Sequence, residues 1–335
     1  MSSAESREGN RSPRSRRHHL VPAFYLAAFT GTGERDGFVT VSNLERRRQY
    51  RGRPDEVAFR NNYNTLQSAD VDPDALEQAF AQVEQVAAPA IRRVLDTASA
   101  PEGDDLHAVL MLLAIQIARA PSHRESIARF TAEVSQRMLE TVTSSPDIFE
   151  SYAARMRANG IDMGDYQEMH DFVRRSQVVV ADSDWLKAMS LEALDVVVDT
   201  MLGRAWSILT IPGDADYSFV TSEHPLRLGW TKNELAGGFY PPGFGLPDTR
   251  VTFPLGPRVM LWGEFGGPSR LTVEVDEHLA GLLNSSTIYG SLEIYSTDAE
   301  FLWADGQTTH RGFDAFIRGL DADVSASSDD PTADE

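Results

Sequence analysis

The chain has 335 residues, 41% of them apolar and 24% charged, a globular composition long enough for one large domain or two closely packed ones. Its formal charge of −19 sets the body of the chain against non-specific nucleic-acid binding, and no apolar run approaches the ~18 residues that a membrane span requires. There is no cysteine, which excludes disulfides, thiolate metal sites and a cysteine nucleophile.

The charge is unevenly placed. Residues 1–60 hold 12 arginines against 7 carboxylates, a balance of +5; residues 61–335 hold 19 basic against 43 acidic side chains, a balance of −24. Residues 1–17, rich in Ser, Arg, Gly and Glu, read as a disordered basic arm. They carry no apolar segment of the kind a secretory leader needs, so a cytoplasmic location is expected. The block HHLVPAFYLAAF, residues 18–29, follows; Pro22 suits a first helical turn, and Phe24, Tyr25, Leu26 and Phe29 make a short apolar helix. Residues 38–44 (FVTVSNL) read as a strand, and the arginine cluster 45–53 (ERRRQYRGR) as a turn or a second strand edge.

Asp72 or Asp74 can cap a helix to about residue 98, with Phe80, Val83, Ala87, Ile91 and Val94 on one face. Asp104 and Asp105 open the next, through residue 120, and its run 108–115 (AVLMLLAI) has the length of a buried helix. Pro121 restarts a third to about residue 142; others are expected near 146–159, 164–178 and 184–203. Beyond Gly203 the pattern shortens to strands at 205–211 and 217–221, a Gly/Pro-rich loop at 229–249, strands at 249–255 and 259–264, a helix capped by Asp276 through about residue 288, and a last strand at 291–296. The sum is α+β: a predominantly helical middle, about 73–203, and a small, mostly antiparallel sheet formed by the N-terminal strand and strands within about 204–300. One domain over 18–320 is expected, then a disordered acidic tail, 321–335.

In order, these blocks resemble the domain of unknown function 4238 family. Its opening His-x-x-Pro-x-x-Tyr-Leu-x-x-Phe pattern falls on His19, Pro22, Tyr25, Leu26 and Phe29, and its Asn-x-Tyr element on Asn61 or Asn62 and Tyr63. An acidic helix position resembles Glu84. A Gln-x-x-Arg-x-Pro element resembles Gln116, Arg119 and Pro121, with Arg124 behind. A Thr-Ser-Asp-x-Pro turn resembles Thr221, Ser222, Glu223, His224 and Pro225; a Pro-Leu-Ser-Pro strand resembles Pro254 to Pro257; and the Asn of a last helix resembles Asn284. Glu223–His224 stands where the family usually carries Asp-Asn, and His18 where many members carry Gln or another polar residue. The resemblance implies no established activity.

Several of these residues carry chemistry. Imidazole titrates near neutrality and serves as acid, base or metal ligand. Neighbours in extended chain point opposite ways, so one of His18 and His19 is expected to face a site: His19, aimed by Pro22, with His18 on the surface. The alternative is that His19 only caps a helix or bonds a backbone carbonyl. Gln116, Arg119 and His123 fall at i, i+3 and i+7 beside a core run, where polar groups are costly unless partnered; Arg119 either faces a cleft, to hold phosphate or carboxylate, or ties helices together by an ion pair with Glu84. Glu223 and His224 end a strand, where they offer a carboxylate and a second imidazole or merely shape a turn. Arg46, Arg47, Arg48, Arg51 and Arg53 with Tyr50 form a phosphate-binding patch or a charged strand edge. Tyr25 offers a hydroxyl behind the site or simple packing, and Asn284 a cap or a site contact.

Two functions fit. One is a hydrolase acting on phosphodiesters, a nuclease of bacterial defence, with His19, Glu84, Arg119, Glu223 and His224 catalytic and Tyr25, Gln116, Asn284 and Arg47 contacting substrate. This reading admits a divalent metal and a nucleic-acid partner at the basic N-terminal region. The other is a non-enzymatic binding or regulatory protein with an internal polar network or a small-ligand pocket, whose acidic surface meets a protein partner. No membrane partner is expected, and no phosphate loop, G-x-G-x-x-G, H-E-x-x-H or G-x-S-x-G motif narrows the choice. Convergence of His19, Glu84, Arg119 and Glu223–His224 in one open cleft would favour the enzyme; an Arg119–Glu84 pair in a closed core, with His19 apart, would disfavour it.

Overall fold

The run 108–115 lies in the middle of a helix whose side chains are buried on nearly every side. A helix apolar all round must be surrounded, and in the computed structural model, which describes residues 17–175, 181–232 and 240–328, it is. Helix accounts for 45% and strand for 19%, an α+β fold. The chain divides into two compact units: Met1–Ala120 with Ala193–Glu335, and Pro121–Glu192.

The first unit begins with β1 (Arg17–His19), α1 (Ala23–Ala27), β2 (Val39–Asn43), β3 (Arg48–Gly52) and β4 (Phe59–Asn61), then α2 (Ala75–Thr97) and α3 (Gly103–Arg119). The second unit is helical, with α4 (Pro121–Val142), α5 (Pro146–Ala158), α6 (Tyr166–Arg175) and α7 (Ser183–Glu192); Phe149 and Ala153 of α5 bury against Val142, Tyr166 and Met169. The first unit resumes with α8 (Leu194–Leu202), β5 (Ala205–Thr210), β6 (Thr221–Ser222), β7 (Arg227–Trp230), β8 (Thr249–Gly256), β9 (Val259–Glu264), β10 (Thr272–Glu274), α9 (Glu277–Ile288), β11 (Glu293–Ser296), β12 (Leu302–Asp305), β13 (Thr308–Arg311) and α10 (Phe313–Ser328).

The face expected on α2 is the one that packs: Leu76, Phe80, Ala87, Ala90, Ile91 and Val94 are buried, Val83 packs beside them, and Pro89 lies on the exposed side. This helix and α3 share one core with Val39, Val41, Phe253, Leu255 and Tyr295 of the sheets. The N-terminal strand does join C-terminal strands, in the order β3-β2-β11-β6, with Val41 opposite Tyr295. A second sheet runs β10-β5-β9-β8-β7, and only its β10–β5 pair is parallel. A bulge between Pro254 and Gly256 accommodates the proline, which has no N–H for the ladder. β1 and β4 form their own antiparallel pair.

Some expectations fail locally. The helix expected over 184–203 is two, α7 and α8, and the strand expected over 217–221 shrinks to the two residues of β6. Helix α6 ends at Arg175; residues 176–178 of that expectation lie outside the described residues, as do 233–239 of the long loop, whose first residues belong to β7. The strand at Glu293–Ser296 is not the last, since the β12–β13 hairpin follows, turned by Gly306 at φ +49°. Arg17 sits in a strand rather than in the arm, and α10 runs through the first eight residues of the expected tail.

Candidate functional site

The pairing of Arg17–His19 with Phe59–Asn61 makes the two histidines extended neighbours on opposite faces. His18 turns inward. It is fully buried, not on the surface as expected, and its Nδ1 accepts the Asn64 N–H at 2.8 Å. The Asn64 amide donates to Glu77 Oε1 at 2.5 Å, and that oxygen lies 3.8 Å from His18 Nδ1. His18 thereby pins the chain after β4 to the start of α2.

His19 turns the other way, into a cleft of about 330 Å³. The backbone carbonyl of Asp55, in the 3-10 turn Pro54–Glu56, accepts from its imidazole, and Nε2 has no partner among the described residues. Burial pulls the His19 pKa below 6.5; the Asp55 carbonyl and the carboxylates of Asp55, Glu84 and Glu77 oppose the shift without cancelling it. At neutral pH the ring is a neutral base, and a donor N–H held by a carbonyl sets the tautomer that leaves Nε2 its lone pair.

The opposite wall is made by α2 and α3. Glu77 and Glu84 are two turns apart on α2 and line the same cleft. Arg119, the last residue of α3, is 2% exposed, with its guanidinium 4.3 Å above the Phe80 ring. Its Nη1 lies 2.6 Å from Glu84 Oε1, close enough for an ion pair. Yet the N–H groups at Nε and Nη1 are aligned with no acceptor among the described residues. The pair is close but poorly aligned for hydrogen bonding, and Nε and Nη1 are themselves buried, which is costly in a cation. Arg35 lines the mouth and pairs with Asp55 at 2.6 Å. The lining holds two guanidiniums and two carboxylates, and the Asp55 carboxylate paired with Arg35 brings the charged groups around His19 to a net −1, so a bound anion would be held by N–H groups and not by a positive field.

The other expected site residues lie elsewhere and hold the fold together. Tyr25 donates to Pro254 O at 2.5 Å and meets Thr221 Oγ1 at 2.7 Å, joining α1 to β8 and β6. Burial raises its pKa, so it stays protonated. Glu223 accepts the N–H groups of Leu292 and Glu293 (2.9 Å for Glu293) at the entry to β11; its carboxylate is consumed by that turn. His224 is held neutral, its pKa pushed down to about 4 by burial and by Arg227 and Arg60. Asn284 accepts the Val220 N–H and donates to Ser218 O and Leu302 O, each at 2.9 Å, so it is an internal strut. Gln116 is buried, neither amide atom has a partner among the described residues, and it does not line the cleft. Arg47 is exposed and pairs with Asp321 at 2.5 Å. Helix α3 stops at Arg119 with Ala120 extended, so His123 belongs to α4 and not to the face of Gln116 and Arg119. Among the described residues no three His, Asp or Glu side chains form a group that could hold a metal ion, and no helix is long and apolar enough to cross a membrane.

A family model described as protein of unknown function (DUF4238) matches residues 17–291. The chain belongs to this family. Neither a curated protein nor a solved structure matches it. The DUF4238 match spans both walls of the cleft and ends just before β11, so the strand that completes the β2 sheet, the β12–β13 hairpin and α10 lie beyond it. Within the DUF4238 region the blocks divide by job. The Tyr25, Thr221–Pro225, Pro254 and Asn284 positions are bonded into the fold, and the His19, Glu84 and Arg119 positions line the cleft. Sequence reasoning missed Glu77 and Arg35 as cleft residues, and Phe80 and Asp55 as the groups that hold Arg119 and His19. Glu77 and Phe80 carried a signal, being one helical face with Glu84; Arg35 and Asp55 lie outside the helices and strands, where no period marks them.

Proposed function

We propose that this DUF4238 protein is a cytosolic hydrolase that cleaves phosphodiesters in the His19–Arg119 cleft, in the setting of bacterial defence. One observation carries the reading. A neutral imidazole whose Nε2 has no partner among the described residues lines a cleft together with a buried guanidinium whose Nε–H and Nη1–H have no aligned acceptor among them. The first group takes protons and the second donates to oxyanions, the two tasks a phosphodiester hydrolase needs. In this reading Arg119 binds non-bridging oxygens of the diester and Glu84 positions Arg119 through their ion pair. Water attacks phosphorus as His19 Nε2 takes its proton; the bond to the leaving alcohol oxygen breaks, and the imidazolium returns the proton to that oxygen. Glu223, His224, Tyr25, Gln116, Asn284 and Arg47 have no part in it. A divalent ion could assist only with donors from the substrate or solvent beside Glu77 and Glu84.

Turnover of bis(4-nitrophenyl) phosphate, with Mg²⁺ or Mn²⁺ and with chelator, tests the reading. His19→Gln and Arg119→Lys should each lower kcat/KM at least 100-fold, and His224→Gln should leave it within about twofold. Equal rates in wild type and His19→Gln would sink it. The second reading, a non-enzymatic binder of a small anion, is favoured by the Arg119–Glu84 ion pair, which engages the guanidinium within the fold itself; saturable phosphate binding without turnover would support it.

A further inference from the structure

The arginine cluster is not absorbed by the cleft. β3 is an edge strand, and the hairpin it forms with β2 carries exposed Arg46, Arg48, Arg51 and Arg53. Among the described residues none of these four has a carboxylate partner, whereas Arg47 beside them is paired with Asp321. Four uncompensated cations stand together on a chain whose net charge is −19.

Their planes are not loose. Arg51 and Arg53 lie 5.1 and 5.6 Å from the centroid of the Phe38 ring, and Arg48 lies 5.4 Å from that of Tyr50. Both rings are more than a third exposed. Strand alternation puts Arg48 and Tyr50 on one face and Arg51 and Arg53 on the other, so cations and rings flank the edge on both sides. A surface of guanidiniums on aromatic planes offers phosphate contacts together with stacking partners for unpaired bases. A duplex would present its bases stacked and closed, and a lipid headgroup would use the charges but not the rings.

The edge also leads to the cleft. Arg53 enters the turn that contains Asp55, whose carbonyl holds His19 and whose carboxylate holds Arg35. We infer that the β2–β3 edge binds single-stranded nucleic acid and delivers it to the cleft. The inference rests on the phosphodiester reading for the fate of the strand and stands apart from it for binding.

Fluorescence anisotropy of labelled oligo(U) and oligo(dT) 12-mers, against a 12-base-pair duplex and phosphatidylserine vesicles, tests this on the full chain. Wild type should bind the single strands more tightly than the duplex, with log K falling against log salt by about 0.7 per phosphate contact. Arg51→Glu/Arg53→Glu should weaken binding at least tenfold and flatten the salt slope, and Tyr50→Ala should weaken it several-fold. His19→Gln should bind like wild type. Four results would each overturn the inference: no oligonucleotide binding by wild type, wild-type binding by the edge variant, equal preference for duplex, or capture by vesicles alone. Diester turnover without oligonucleotide binding would defeat this inference and spare the hydrolase; binding without turnover would do the reverse.

Discussion

Breaking the Arg119–Glu84 pair from one end should cost more than breaking it from the other. Arg119's side chain is 3% exposed and Glu84's is 25% exposed. Glu84→Gln strands a buried guanidinium whose Nε–H and Nη1–H already lack acceptors. Removing one member of a buried pair costs about 3–5 kcal/mol; water entering the cleft beside Glu84 reduces this to about 2–3. Arg119→Met removes the buried charge together with its contact on Phe80, worth roughly 1 kcal/mol, and leaves a carboxylate that water already reaches. Glu84→Gln should therefore be the more destabilising by at least about 1 kcal/mol, and the double variant should be more stable than Glu84→Gln alone. Urea unfolding followed by tryptophan fluorescence measures the order. If Arg119→Met proves as costly as Glu84→Gln, the asymmetry drawn from burial is wrong and Arg119 is chiefly a packing residue.

Asn284→Ala strands one buried N–H and two carbonyls and should cost about 3 kcal/mol or more, seen as a lower melting temperature with the cleft chemistry unchanged in protein that remains folded. Gln116→Leu fills its site without orphaned polar atoms, so it should be neutral or stabilising by about 1 kcal/mol; a loss of diester turnover in this variant would restore Gln116 to the site. His224 is neutral in the fold with a pKa of about 4 and protonates near 6.5 when unfolded. The unfolded chain therefore binds its proton first, and stability should fall as pH drops from about 6.5 to 4, by roughly 2 kcal/mol after allowance for the ring's partial exposure. His224→Gln should flatten that segment of the stability–pH curve; an unchanged curve would contradict the burial argument.

Long periodic elements were legible because one physical signal, burial of a face, determines them. The apolar spacing of α2 and the all-round apolar middle of α3 are read directly from the chain, and so is the Asp276 cap, which accepts the Leu279 N–H at 2.8 Å. Short strands were not: residues 217–220 alternate like a strand yet serve instead to satisfy Asn284 and Pro257. In the site, extended geometry at residues 18–19 correctly separates the two imidazoles, but His18 could not be placed, because its partner Asn64 sits 46 residues away. Thr221–Pro225 was ambiguous for a physical reason: a carboxylate that caps a turn and a carboxylate that does chemistry look alike in sequence, and the Leu292 and Glu293 N–H groups that Glu223 accepts lie about 70 residues away.

The pH dependence of kcat/KM for bis(4-nitrophenyl) phosphate, wild type against His19→Gln, tests the central claim most directly. A working Nε2 base whose pKa burial holds below 6.5 predicts a rate that is level at neutral pH and falls on an acid limb centred below 6.5, a limb that His19→Gln removes along with most of the rate. A wild-type profile with no acid limb, or the same limb and rate in His19→Gln, would show that His19 is not the base and that the cleft does not perform this chemistry.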